Sequence, residues 1–182
     1  MCLRLIVFAL LAAANVSAAA DSVDLNLSSD TIEARYNASV GFGEWTFGAL
    51  YNRDQKDQVV NVGLLATGET RAGGSRIEAG LGGKLYATSV GNEEVLALGV
   101  GGQVRWFFGE GPFSVAGYGF FAPRVVTFLD GVWFWEAGVR AEVELIKNSF
   151  LYIGYRQVQV ELDSGARPNV DKGAFAGLQI KF

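Results

Sequence analysis

The stretch Val132-Trp133-Phe134-Trp135-Glu136-Ala137-Gly138-Val139-Arg140-Ala141-Glu142-Val143-Glu144-Leu145-Ile146 decides the fold class. Its odd-numbered positions (Trp133, Trp135, Ala137, Val139, Ala141, Val143, Leu145) are apolar, and its even ones include Glu136, Arg140, Glu142 and Glu144. Successive side chains of an extended chain point to opposite faces, so a period of two makes one ribbon face greasy and the other ionic. A helix would need apolar residues every three or four positions.

Outward from this stretch the same period recurs. Ile77, Ala79, Leu81, Leu85 and Ala87 oppose Arg76, Glu78, Lys84 and Tyr86. Leu96, Leu98, Val100, Val104, Trp106 and Phe108 oppose Gly99, Gly101, Gln103 and Arg105. Ile32, Ala34, Tyr36 and Ala38 oppose Glu33, Arg35, Asn37 and Ser39. These segments, with Glu44–Asp54, Gln58–Ala66, Pro112–Val125, Phe150–Asp163, Lys172–Phe182 and the short Ser22–Ser28, predict about ten strands. The punctuation between them is Ser29-Asp30, Asn52 to Asp54, Thr67 to Gly74, Gly91-Asn92, Gly109 to Pro112, Asp130-Gly131, Lys147-Asn148 and Asp163 to Asp171. An even count returns both chain ends to one side of a membrane, as barrels of this kind require. Eight strands is the alternative, should two of the weaker segments not cross.

Half the chain is hydrophobic (50%) although 19% is charged. Beyond the N-terminus no apolar run reaches the roughly 18 residues of a membrane helix. The first twenty residues read as a signal peptide: Arg4, an apolar run from Leu5 to Ala14, then small residues offering cleavage after Ala18 or Ala20. Residues 21–182 are then the mature domain. Cys2 leaves with the leader, so disulfide, thiol and zinc–thiolate chemistry are excluded. A net charge of −4 argues against nucleic acid as a partner.

Alternation alone does not say which face points outward, and a soluble barrel with an oily interior alternates too. Four features favour lipid outside. Aromatic residues gather at both ends of the strands: Trp45, Trp106 and Phe108 toward one, Tyr51, Phe121, Trp133, Trp135 and Tyr155 toward the other, as two interfacial girdles would. The chain ends on an alternating strand closed by Phe182, which looks like the signal read by the outer-membrane assembly machinery. Many of the 24 glycines fall on the ionic face, where interior crowding needs them. A closed barrel also satisfies its whole backbone internally, a condition for spanning lipid. The expected fold is therefore all-β: a closed antiparallel transmembrane β-barrel.

On that orientation Glu33, Arg35, Arg76, Glu78, Lys84, Arg105, Glu136, Arg140, Glu142, Glu144, Arg156 and Lys181 line the lumen. Unpaired buried charges cost several kcal/mol, so these should pair with one another. They would form either a filled polar core or a constricted path for ions and small solutes. Barrels of 8 strands are filled and those of 16–18 are open, which places ten near the filled end.

The chain has no histidine. That removes the general base used by outer-membrane lipases, deacylases and omptin-type proteases, and no enzyme activity is expected. No cofactor or metal is expected either. Glu142 and Glu144 read as partners for basic neighbours rather than as a hydrolytic pair. Gly99-Val100-Gly101-Gly102 lies within a strand and lacks the Lys-Ser/Thr of a phosphate loop. Expected partners are outer-membrane lipid, lipopolysaccharide and, during biogenesis, the barrel-assembly machinery, with the protein acting as a monomer.

Several stretches resemble YfaZ-family outer-membrane proteins: Val23-Asp24-Leu25-Asn26-Leu27-Ser28 with Asp30-Thr31, Leu50-Tyr51-Asn52, and Gly63-Leu64-Leu65-Ala66-Thr67-Gly68. So do Ala79-Gly80-Leu81-Gly82-Gly83-Lys84-Leu85-Tyr86, Phe121-Ala122-Pro123 and Tyr152-Ile153-Gly154-Tyr155-Arg156. The resemblance spans nearly the whole mature chain. It implies a small outer-membrane barrel with a porin-like or surface role, and it brings no catalytic or ligand residues with it.

Overall fold

Alternating residues close into a ring of ten antiparallel strands in the computed structural model, which describes residues 21–41, 43–91 and 93–182. The expected signal peptide lies outside the described residues. The strands are β1 (Ser22–Ser28), β2 (Thr31–Val40), β3 (Gly43–Asn52), β4 (Gln58–Ala72), β5 (Ser75–Val90), β6 (Glu93–Phe107), β7 (Phe113–Ala122), β8 (Thr127–Leu129), β9 (Gly131–Ile146), β10 (Ser149–Leu162) and β11 (Asn169–Lys181). Each pairs with its neighbour in chain order, except that β7 pairs with β9 and the three-residue β8 lies against β6. The ring closes between β1 and β11, with Val23 opposite Ile180 and Leu25 opposite Leu178. Closure removes the free sheet edges that lipid would not tolerate.

The two ends differ. The start of β1 and the end of β11 share one end, the terminal end, with the tight turns Gly73-Gly74 and Lys147-Asn148. The opposite end carries the longer connections, including 53–57 and 163–168. Asn52 shapes the first of these: its Oδ1 accepts from the backbone N–H of Asp54 and Gln55, both at 3.0 Å. Asp57 then accepts from the Gly91 N–H at 3.1 Å and ties two connections together.

The outer surface is an apolar band. Leu27, Leu81, Val100, Val139 and Ile153 are among its most exposed members, and it continues through Leu25, Leu98, Leu178 and Ile180. An apolar belt of this extent marks a membrane surface rather than a soluble one. No described helix is long and apolar enough to cross a membrane, which says nothing of the strands.

Three sequence expectations are corrected. Thr67 to Gly74 is not a turn: β4 runs on to Ala72, and only Gly73 and Gly74, both at positive φ, reverse the chain. Polar side chains at 67–71 conceal a strand here because this segment extends past the lipid-facing band, where both faces are exposed. Asp171 is not a loop residue, because β11 begins at Asn169 and a bulge beside Val158 and Gln159 buries both Val170 and Asp171. A bulge adds one residue and breaks the alternation locally. The strand expected over Pro112–Val125 ends at Ala122: a turn of 3₁₀ helix, Arg124–Val126, follows and leads into β8.

Candidate functional site

The barrel interior gathers nearly all the side chains that carry chemistry. It has three storeys. Nearest the loop end, apolar side chains fill the lumen: Leu50, Val59, Leu65, Tyr86, Val95, Phe120, Phe134, Val158, Val160 and Leu162 pack into one buried cluster. Tyr86 on β5 and Phe134 on β9 meet with ring centroids 4.4 Å apart. Two strands, β6 and β7, separate them in the ring, so the contact bridges the lumen. Sequence alternation hid this plug for two reasons: β4 is apolar on both faces at this level, as in Val59-Val60, and on β10 the apolar face turns inward, with Val158, Val160 and Leu162 buried and Gln157, Gln159 and Glu161 on the other side. The missed signal was the loss of alternation on β4 and its reversal on β10.

Interlocked with the plug, and reaching from it toward the terminal end, is an ion-pair network that also crosses the lumen: Glu33 pairs strand to strand with Leu50, and Val158 with both Glu136 and Asp171. Arg35 on β2 donates to Glu33 at 2.5 Å, to Glu136 on β9 at 2.9 Å and to the Tyr118 hydroxyl on β7 at 3.2 Å. Tyr86 donates to the other oxygen of Glu136 at 2.8 Å. Arg156 on β10 pairs with Glu33 and donates from Nε to Asp171 at 2.6 Å; Thr31 and Asn26 take its remaining hydrogens. Lower down, Arg140 bridges Asp24 and Glu142, at 2.6 Å each. Glu142 also accepts from Ser114 at 2.7 Å and from Arg105 at 3.1 Å. Arg105 Nε lies 2.9 Å from Glu142 without aiming its hydrogen there, while its Nη2 donates to Gln179 at 2.6 Å. Tyr152 donates to Asp24. Each guanidinium thus meets at least one carboxylate, which offsets the cost of removing both charges from water.

The third storey, at the terminal end, is a cavity of about 400 Å³. Its rim carries Glu78, within 4.0 Å of Arg76, Arg105 and Lys181. Arg76 also lies over the Phe107 ring at 3.8 Å. Lys84 faces this cavity from β5.

Of the twelve charges read from the sequence as lumen-lining, eleven face the interior or its rim. Glu144 is the exception in role: it accepts from the backbone N–H of Asn148 at 2.9 Å and caps the β9–β10 turn outside the network. It keeps register with Glu142, opposite Phe150 as Glu142 is opposite Tyr152, and lies beside the register shift between Ser149 and Phe150, next to the turn that it caps. Sequence inspection passed over Asp24, Asp171, Tyr86, Tyr118 and Tyr152 as network members. Asp24 was findable, since Ser22, Asp24 and Asn26 share one polar face of β1. Asp171 was not, because only the bulge turns it inward.

Trp45, Tyr51, Trp106, Phe108, Phe121 and Tyr155 all stand exposed on the outer face, and Trp133 and Trp135 are partly exposed beside them. Trp135 donates to Gln159 at 3.1 Å, at a level where the outer face of β10 has turned polar. Phe182 is exposed at the terminal end, its backbone N–H donating to the Asp21 carbonyl at 2.8 Å. Among the described residues no group of His, Cys, Asp and Glu is arranged to hold a metal ion.

A family model described as YfaZ precursor matches residues 1–182, the whole chain. No curated protein matches it.

Proposed function

The chain belongs to the YfaZ family of outer-membrane-type proteins, and on that premise we propose that it is an exported barrel of the outer membrane whose lumen is closed to solutes. One observation carries this: two interlocked sets of side chains, the apolar plug and the ion-pair network, cross the lumen and join separate walls of the ring. A hydrated ion moving through would have to part Tyr86 from Phe134 and then break charge-assisted bonds in low dielectric.

The terminal end, with the shorter turns, faces the periplasm, and the longer connections face outward. The apolar band meets lipid, and lipopolysaccharide surrounds the outer connections. Phe182 and its alternating strand serve recognition by the assembly machinery. The contribution of the protein is structural or surface-interactive, and no step of catalysis is assigned to it.

Recording from planar bilayers containing the refolded mature protein tests this. Silence is expected from the wild type, from Glu136→Gln and from Arg140→Gln. Steady unitary openings that change with either substitution would overturn the closed barrel in favour of a narrow channel.

A further inference from the structure

We propose that the cavity at the terminal end is a binding site for small anionic solutes, with a carboxylate or phosphate group seated on Lys84. This rests on the periplasmic placement of that end given above.

The cavity, about 400 Å³, falls within the range of small-molecule pockets. Its lining is polar and convergent: Thr46, Lys84, Gln103, Arg105 and Lys181 come from four different strands. Lys84 is distinct among them. It is 4% exposed, yet no carboxylate oxygen lies within 4.0 Å of its ammonium and it makes no hydrogen bond with the described residues. Every other cation facing the interior (Arg35, Arg76, Arg105, Arg140, Arg156, Lys181) has a carboxylate within that distance. What holds the Lys84 ammonium is one-sided: the Phe120 ring centroid at 4.2 Å and the Tyr118 ring at 5.7 Å. Aromatic faces attract a cation but accept none of its three N–H bonds in the manner of an oxygen. Those donors are left for whatever enters the cavity.

A desolvated ammonium without an oxygen partner is costly, and an incoming anion relieves that cost. The guanidiniums of the wall are already engaged by Glu33, Glu136 and Glu142, so they do not compete with Lys84 for the solute. Glu44 lines the same cavity, and among the described residues its hydrogen-bond partner is Gln103 at 3.3 Å. That carboxylate disfavours polyanions and suits solutes that also carry an O–H or N–H donor.

The test uses the mature barrel labelled with ¹³C,¹⁵N-lysine, refolded in detergent micelles at constant sodium chloride, and titrated with inorganic phosphate in one arm and acetate in the other. A saturable movement of the Lys84 ¹³Cε resonance in either arm is expected, and the arm that saturates earlier names the headgroup. In Lys84→Met, saturable responses at the remaining lysines should disappear. An unmoved Lys84 signal in both arms would overturn the site, and so would undiminished responses in Lys84→Met. The wild-type resonance decides alone should that variant not fold. A conducting barrel with a saturable Lys84 shift would overturn the closed lumen and leave the site standing; a silent barrel with an inert Lys84 would do the reverse.

Discussion

Arg35 on β2 and Tyr118 on β7 stand five strands apart in either direction round a ten-strand ring, yet a hydrogen bond of 3.2 Å joins them and the guanidinium lies 4.8 Å from the ring centroid. Side chains from diametrically opposite walls therefore touch. A lumen crossed in this way is a core, and its energetics are those of buried charge networks. Removing one member strands its partners, whereas removing a balanced pair does not.

Glu33 and Glu142 each hold three side-chain partners, those of Glu33 being Arg35, Arg156 and Asn26. Glu33→Ala should cost about 3–5 kcal/mol, because two largely buried guanidiniums lose a counter-charge. The double variant Glu33→Ala/Arg156→Met should lose less than the two single losses added together. Urea unfolding of the four proteins in lipid vesicles measures this, and additive losses would mean that the pair is not coupled.

Val139 projects from the outer face of β9 and is 52% exposed. Val139→Arg places a charge in the apolar band and should cost about 2–4 kcal/mol if the site lies near the bilayer midplane. Folding yield into vesicles reads the effect. Unchanged yield would mean that the outer face does not meet lipid.

Gly177 on β11 has no room for a side chain. A Cβ there would lie 2.3 Å from the Tyr152 hydroxyl and 2.5 Å from the Leu25 carbonyl. Since the backbone carbonyl cannot retreat, Gly177→Ala should destabilise by about 1–3 kcal/mol through overpacking and displace Tyr152 from Asp24. Thermal unfolding, monitored as the gel-mobility shift of the folded barrel, provides the comparison. A neutral result would place Tyr152 elsewhere.

The four tryptophans sit on the outer surface, Trp45 and Trp106 toward the terminal end and Trp133 and Trp135 toward the loops. Their fluorescence should be quenched more by lipids brominated near the headgroup than by lipids brominated near the chain end, as interfacial girdles require. Stronger quenching from the chain end would put these rings at the bilayer centre and overturn the girdle assignment.

Strand identity and facing were legible in Val132 to Ile146, in Gly74 to Val90 and in the closing segment, because each depends on a local rule: neighbouring side chains point opposite ways. Where that rule weakened, legibility weakened with it. Thr67 to Ala72 is polar on both faces beyond the lipid belt, and Val59-Val60 is apolar on both faces where outer band and inner plug lie back to back. Val170 and Asp171 share a side through a bulge that no residue type announces.

From its residues alone this chain is a lipid-facing β-barrel with a charged interior, since alternation and the placement of aromatics are properties of short segments. Only the closed ring decides that Glu136 serves Arg35, 101 positions away in the chain, that the loop-side lumen is sealed with apolar side chains, and that Lys84 faces a cavity with no carboxylate of the described residues within 4.0 Å of its ammonium. Those outcomes depend on which strands stand opposite one another. Strand order, register and closure set that jointly, and no single stretch of the chain contains it.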